Sequence, residues 1–176
     1  MSTALRLVIA LVLGAAAVVG VLLFVQSRDR STFGDESNGP APGRLLPDQG
    51  AAHGPPPAGF RYATDPPASG PHRVVATHRD GALTRDQLLT ALESGDVVLV
   101  YGSRTDEAQL RGIQQDVAGP FDPELASAGQ AVILDRRTGT QGVVALAWRR
   151  MLRARNGEDP KLHAFADAWL GKGARQ

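Results

Sequence analysis

The sequence predicts an α/β domain of the α+β type, in which a small mixed sheet is flanked by helices and preceded by one transmembrane helix. Three observations support this fold class. An uncharged apolar run lies near the N-terminus, two short β-branched runs flank a capped amphipathic helix, and the chain closes with a helix whose apolar residues recur at helical spacing.

The apolar run extends from Leu7 to Val25 and contains no charged residue. As a helix it is about 28 Å long, which matches the hydrocarbon core of a bilayer. A cleaved signal peptide is the alternative, but its apolar region usually has only about 7–15 residues, and the small residues 15–17 lie in the middle of this run. We therefore expect an uncleaved single-pass anchor after a short tail, residues 1–6.

Residues 26–57 are rich in Gly, Pro, Ser and Asp, and they show neither a helical nor a strand period. Such a segment buries too little apolar surface to offset the entropy lost on ordering, so we expect a disordered linker. The globular domain then comprises residues 58–176, which is a normal size for one hydrophobic core.

The first half of this domain predicts helix, strand, helix. Thr84 and Gln87 form a capping box that opens a helix, and the helix ends at Gly95. The run "DVVLVYG", residues 96–102, follows as a buried strand. Thr105 is the expected N-cap of the second helix.

The second half predicts strand, strand, helix. The runs "AVILD", residues 131–135, and "VVALAW", residues 143–148, are expected as strands of a hairpin joined by the turn "RRTGTQG". Asp159 and Pro160 open the last helix. This order resembles half of a thioredoxin-like domain, but the chain has no cysteine, which excludes Cys-x-x-Cys redox chemistry.

Composition excludes several functional classes. The net charge is +1 and the pI is about 8.3, so nothing indicates nucleic-acid binding. The lack of cysteine excludes disulfides, a thiolate nucleophile and thiolate metal sites. The sequence also shows no phosphate-binding loop, nucleotide fingerprint or paired catalytic carboxylates.

The stretch "DPPASGPH", residues 65–72, predicts a stiff, irregular loop that fixes the position of His72. Together with "LESGDVVLVY", residues 92–101, the Ala147-Trp148 pair and the closing helix, it resembles a bacterial family known as domain of unknown function 3105, over roughly residues 60–171.

The resemblance implies one N-terminal membrane helix with the domain outside the cytoplasm. The charges that flank the apolar run, Arg6 on one side and Arg28 and Arg30 on the other, do not decide the orientation. We therefore expect an extracytoplasmic domain at the cell membrane. A cytosol-facing regulatory domain with inverted topology is the alternative.

The family pattern before the first strand reads His-x-Leu-Glu-His-Gly. Its two imidazoles, one helical turn apart, would join the loop histidine in a site suited to zinc or copper. In this chain Thr90 and Ser94 stand at the two histidine positions, whereas Glu93 and Gly95 remain. The resemblance therefore implies a depleted site.

The candidate functional residues of the loop, helix and strand are Ser69, His72, Glu93 and Tyr101. A metal set would combine His72 and Glu93 with His78, and zinc or copper would be its ion. The interpretation favoured here is structural, with His72 hydrogen-bonded to the backbone or to Glu93, and with His78 in solvent.

The two remaining histidines, His53 in the linker and His163 on the last helix, are expected at the surface. Four arginines, at positions 149, 150, 153 and 155, are consistent with anionic lipid or an acidic partner, but we interpret them as a solvated strand end.

These observations predict a membrane-anchored, extracytoplasmic binding or interaction module without catalytic residues and without a cofactor. Its partners would be the membrane, through residues 7–25, and an extracytoplasmic protein or ligand that the sequence does not identify. The alternative is a metal-dependent site or enzyme that uses His72 and Glu93.

Overall fold

The computed structural model describes residues 41–174. They form one five-stranded mixed sheet with helices on both faces, which confirms the predicted mixed α/β class. The elements in chain order are β1 (Arg44–Leu45), α1 (Arg85–Ser94), β2 (Val97–Tyr101), α2 (Arg104–Val117), α3 (Pro123–Ser127), β3 (Val132–Arg136), β4 (Val143–Ala147), β5 (Arg150–Ala154) and α4 (Pro160–Trp169).

The strand order is β1-β5-β4-β2-β3. Strand β2 is central: it pairs in parallel with β3 and antiparallel with β4, so these two strands lie on opposite sides of it. The predicted hairpin between the strands at 131–135 and 143–148 is therefore wrong. The true hairpin joins β4 to β5, whose arginines the sequence led us to interpret as a solvated strand end.

Every residue of β2 is buried, because this strand lies in the middle of a sheet that is covered by helices on both faces. Its side chains alternate between two cores. Val98 and Val100 face one core, which α1 and α3 cover, whereas Val97, Leu99 and Tyr101 face the other, which α2 and α4 cover.

N-cap residues mark the starts of the helices. The Thr84 hydroxyl accepts from the Gln87 backbone N–H, and the Gln87 side chain accepts from the Thr84 N–H, as the capping box predicts. Helix α2 begins earlier than expected, because Ser103 rather than Thr105 is its N-cap. The short helix α3 was not predicted; Asp122 caps it.

The predicted linker, residues 26–57, extends into the folded unit, which begins at Ala41. Arg44 and Leu45 pair with β5, Leu46 is buried in the core beneath α1, and the Trp169 indole N–H donates to the Pro42 carbonyl at 2.7 Å. The disordered-linker prediction is therefore wrong for residues 41–57. These residues were missed because their contacts are with distant strands, which no local periodicity reports.

Within residues 41–174, no helix has the length and apolar character needed to cross a bilayer. The predicted span at residues 7–25 and the linker at residues 26–40 lie outside the described residues.

Candidate functional site

The loop at residues 65–72 is held by backbone contacts from three directions. The Gly70 N–H donates to Gly50 O at 2.9 Å, the Tyr62 hydroxyl donates to Pro71 O at 2.6 Å, and the Arg149 N–H donates to Ala68 O at 2.8 Å. Such a loop presents the side chain at its end in one fixed position, as the sequence predicts for His72.

Gly70 is required in this loop. Its φ is 128°, and an added Cβ would lie 2.8 Å from the Tyr62 ring. Both the backbone conformation and the ring therefore exclude a larger residue. Ser69 is buried; its hydroxyl accepts from the Gln49 N–H and donates to Pro47 O, each at 3.3 Å, so its contacts are structural.

A second imidazole reaches this loop through a backbone bridge. The His72 N–H donates to Ala52 O at 3.0 Å, and the Gly54 N–H donates to His72 O at 2.8 Å, which places His53 beside His72 in a parallel bridge. The two ring centroids are 5.7 Å apart. His53 was expected at the surface and in the linker: its side chain is half exposed, as expected, but its backbone pairs with the loop, so the linker placement is wrong.

Glu93, in the last turn of α1, joins the two histidines. Its Oε1 and Oε2 lie 3.0 and 2.9 Å from His53 Nε2, and Oε2 lies 3.1 Å from His72 Nε2. One ligand atom from each residue falls within 4.8 Å of the others. The exposed side-chain fraction rises from 0% for His72 through 16% for Glu93 to 49% for His53, so the cluster opens on the His53 side.

The hydrogen bonds of His72 determine which of its nitrogens carries the proton. Nδ1 lies 2.9 Å from Gly70 O, and a carbonyl only accepts, so Nδ1 donates. In the neutral ring Nε2 then presents a lone pair to the carboxylate of Glu93, and this buried nitrogen makes no aligned hydrogen bond. Two lone pairs in contact repel each other, so the arrangement needs a cation between them, either a proton or a metal ion.

The donor set fits a transition metal. Ligand bonds of about 2.0–2.1 Å place neighbouring donors of a tetrahedral zinc about 3.3 Å apart. The Nε2 atoms of His53 and His72 lie 2.9 and 3.1 Å from Glu93 Oε2. The bond from His72 Nδ1 to Gly70 O is also the outer contact that orients metal-bound imidazoles.

Thr90 and Ser94, which stand where the sequence resemblance implied two histidines, lie on α1. The Thr90 hydroxyl accepts from the Val75 N–H at 3.0 Å, and the Ser94 hydroxyl donates to Thr90 O at 3.0 Å. Both residues line a cavity of about 340 Å³ that His53 and Glu93 also border. The two residues therefore border the open side of the cluster, while their hydroxyls are hydrogen-bonded to the backbone.

The other predicted site residues lie elsewhere. Tyr101 points into the α2 and α4 core, on the opposite face of the sheet from α1. Burial, with a smaller effect from the nearby charge of Glu107, raises the pKa of its phenol. His78 lines a separate cavity with Asp96 and does not join the metal-type cluster.

The arginine cluster makes contacts within the domain. The guanidinium of Arg150 lies 4.4 Å from the centroid of the Trp169 ring, Arg153 donates to Asp65 O at 3.1 Å, and Arg149 lies 3.3 Å from the Asp48 carboxylate. Arg149 and Arg153 thus help to hold the segments that carry the cluster of His53, His72 and Glu93.

Sequence reasoning found His72 and Glu93 but missed His53. No local pattern marks His53, because it lies in a Pro- and Gly-rich stretch without periodicity. Only the long-range bridge to the loop gives this residue its place in the cluster.

Neither a curated protein nor a solved structure is detectably similar to the chain. A family model described as protein of unknown function (DUF3105) matches residues 53–175, a span that includes all three residues of the cluster. The chain therefore belongs to the DUF3105 family.

Proposed function

We propose that the domain binds a divalent transition metal ion, zinc or copper, through the Nε2 atoms of His53 and His72 and the carboxylate of Glu93. The observation that carries this proposal is the buried Nε2 of His72, which lies 3.1 Å from a carboxylate oxygen without an aligned hydrogen bond. A metal ion at this point would accept the lone pairs of His72 Nε2 and the Glu93 carboxylate. Without a cation, the neutral imidazole and the carboxylate leave these lone pairs facing each other.

The ligand types support zinc or copper over calcium or magnesium, because imidazole nitrogen suits the transition metals. Three protein ligands leave at least one coordination position for water or an external donor. The cavity of about 340 Å³ lies on that side, so a small external ligand has room to approach the ion.

The setting of the site completes the proposal. Residues 7–25 anchor the chain in the cell membrane, and the domain lies outside the cytoplasm as a binding module for the ion and for an extracytoplasmic partner. The β2-α2-β3 unit, the β4-β5 hairpin and α4 support a thioredoxin-like arrangement of the sheet. Fusions of alkaline phosphatase and a fluorescent protein at Gln176 test the topology: fluorescence without phosphatase activity would contradict it.

Titration calorimetry of the metal-free full-length chain with zinc and with copper(II) tests the site. We expect one equivalent to bind, and we expect His53→Ala and Glu93→Gln each to weaken binding at least about tenfold. His163→Ala is the matched control, because it removes an exposed imidazole from α4. The His53 side chain is half exposed, so we expect the His53→Ala variant to keep the fold.

A cluster held together by a proton alone is the competing explanation. Absence of stoichiometric binding, or equal binding by the parent chain and His53→Ala, would contradict the metal proposal and favour the proton.

A further inference from the structure

A second cavity, of about 400 Å³, lies between residues 74–78, α1 and α3. None of His53, His72 and Glu93 lines it, although it shares four lining residues with the first cavity: Val74, Thr90, Ser94 and Ser127. Most of its wall is apolar, and the apolar residues are Val74, Ala76, Ala91, Pro123 and Ala126.

Two buried polar side chains line this cavity without a partner for one of their oxygens. Asp96 is 1% exposed and Thr77 is 7% exposed. Oδ1 of Asp96 accepts from the Ala131 N–H at 2.8 Å, which orients the carboxyl, but Oδ2 of Asp96 and the Thr77 hydroxyl have no hydrogen-bond partner within the described residues. Burying unpaired polar atoms is unfavourable, so a ligand that supplies donors would relieve both.

The charges of the lining indicate the sign of the ligand. Asp96 and Glu124 contribute two carboxyl groups, His78 contributes an exposed imidazole, and among the described residues that line the cavity there is no lysine or arginine. An anion would find no fixed positive charge here, whereas a cation would find two acidic groups.

We propose that this cavity binds a small primary alkylammonium ion, with its ammonium group on Asp96 and Thr77 and its alkyl chain along the apolar wall. An ammonium group has three donors and no acceptor, which complements a carboxylate and a hydroxyl. The volume lies near the lower end of the range for small-ligand pockets, about 300–1,000 Å³.

The probe is n-butylammonium chloride, titrated into the ¹⁵N-labelled full-length chain at pH 8 and followed by amide chemical shifts. That pH lies above the pKa of about 7 that burial gives Asp96, so its carboxylate is available. We expect saturable shifts that include the amides of residues 77, 96 and 131. We also expect 1-butanol, which has the same alkyl chain but no charge, to bind at least about tenfold more weakly.

Two variants and one control complete the test. Asp96→Asn keeps the acceptor for the Ala131 N–H but removes the charge, and Thr77→Val keeps the shape but removes the hydroxyl. Each should weaken n-butylammonium at least about threefold, and Asp96→Asn the more strongly, whereas Asp116→Asn, an exposed change on α2, should not. Butanol binding as tightly as the ammonium, equal affinity in Asp96→Asn, or no saturable shift would overturn the proposal.

Discussion

The buried carboxyl of Asp96 predicts that the stability of the domain falls as pH rises. Burial raises the pKa of Asp96 from 3.8 to about 7, and the hydrogen bond from the Ala131 N–H offsets only part of this effect. In the unfolded chain the carboxyl returns to its ordinary pKa.

The folded state therefore holds this proton more tightly than the unfolded state does. Its contribution to stability is complete below pH 3.8 and is lost as pH rises through about 7. The pKa difference of about 3 units corresponds to about 4 kcal/mol, because one unit is worth about 1.4 kcal/mol. The Asp96→Asn variant keeps the hydrogen-bond acceptor but has no proton to lose, so it should not show this decline.

Urea unfolding of the full-length chain, followed by the fluorescence of Trp148 and Trp169, measures the effect between pH 4 and pH 8. All other ionisable groups are common to both proteins, so the informative quantity is the difference in unfolding free energy between parent and Asp96→Asn. We expect this difference to shift by about 4 kcal/mol across the range in favour of the variant. Asp116→Asn, in which an exposed carboxyl is removed, should follow the parent. Parallel curves for parent and Asp96→Asn would refute the reasoning.

Three further predictions test the fold and the site by unfolding measurements. Leu46→Ala should lower the unfolding free energy by about 2–4 kcal/mol, because it opens a cavity in the core. Leu45→Ala, which changes an exposed residue, should alter it by less than about 1 kcal/mol. Equal effects of the two substitutions would place residues 41–57 outside the core. Gly70→Ala should lower the unfolding free energy by about 1–3 kcal/mol, since the φ of 128° and the adjacent Tyr62 ring both oppose a Cβ. Gly59→Ala should lower it less, because Gly59 is also at positive φ but has open space around it. The reverse order would show that the loop does not need the close contact at Gly70. Zinc at about 100 times its dissociation constant should raise the unfolding free energy by about 2.7 kcal/mol. This gain should disappear with EDTA or in His53→Ala. An unchanged midpoint of urea unfolding would argue against metal binding to the folded state.

The sequence alone determined the elements whose signals are local. The capping box at Thr84 and the Asp159-Pro160 start are confirmed, because a cap depends on residues two or three positions away. The β-branched runs of β2 and β3 are strands for a similar reason. Local patterns also located His72 at the end of a rigid loop.

Only the tertiary structure decided how these elements meet. Insertion of β2 between β3 and β4 replaced the expected hairpin. Residues 150–154 are a strand because they pair antiparallel with β4 and β1, and their arginines hide this pattern in the sequence. The third member of the candidate metal site, His53, comes from a segment that looks like a linker. Its position depends on backbone bonds to residue 72, and such long-range pairing leaves no periodic signal in the chain because the partners are not neighbours in sequence.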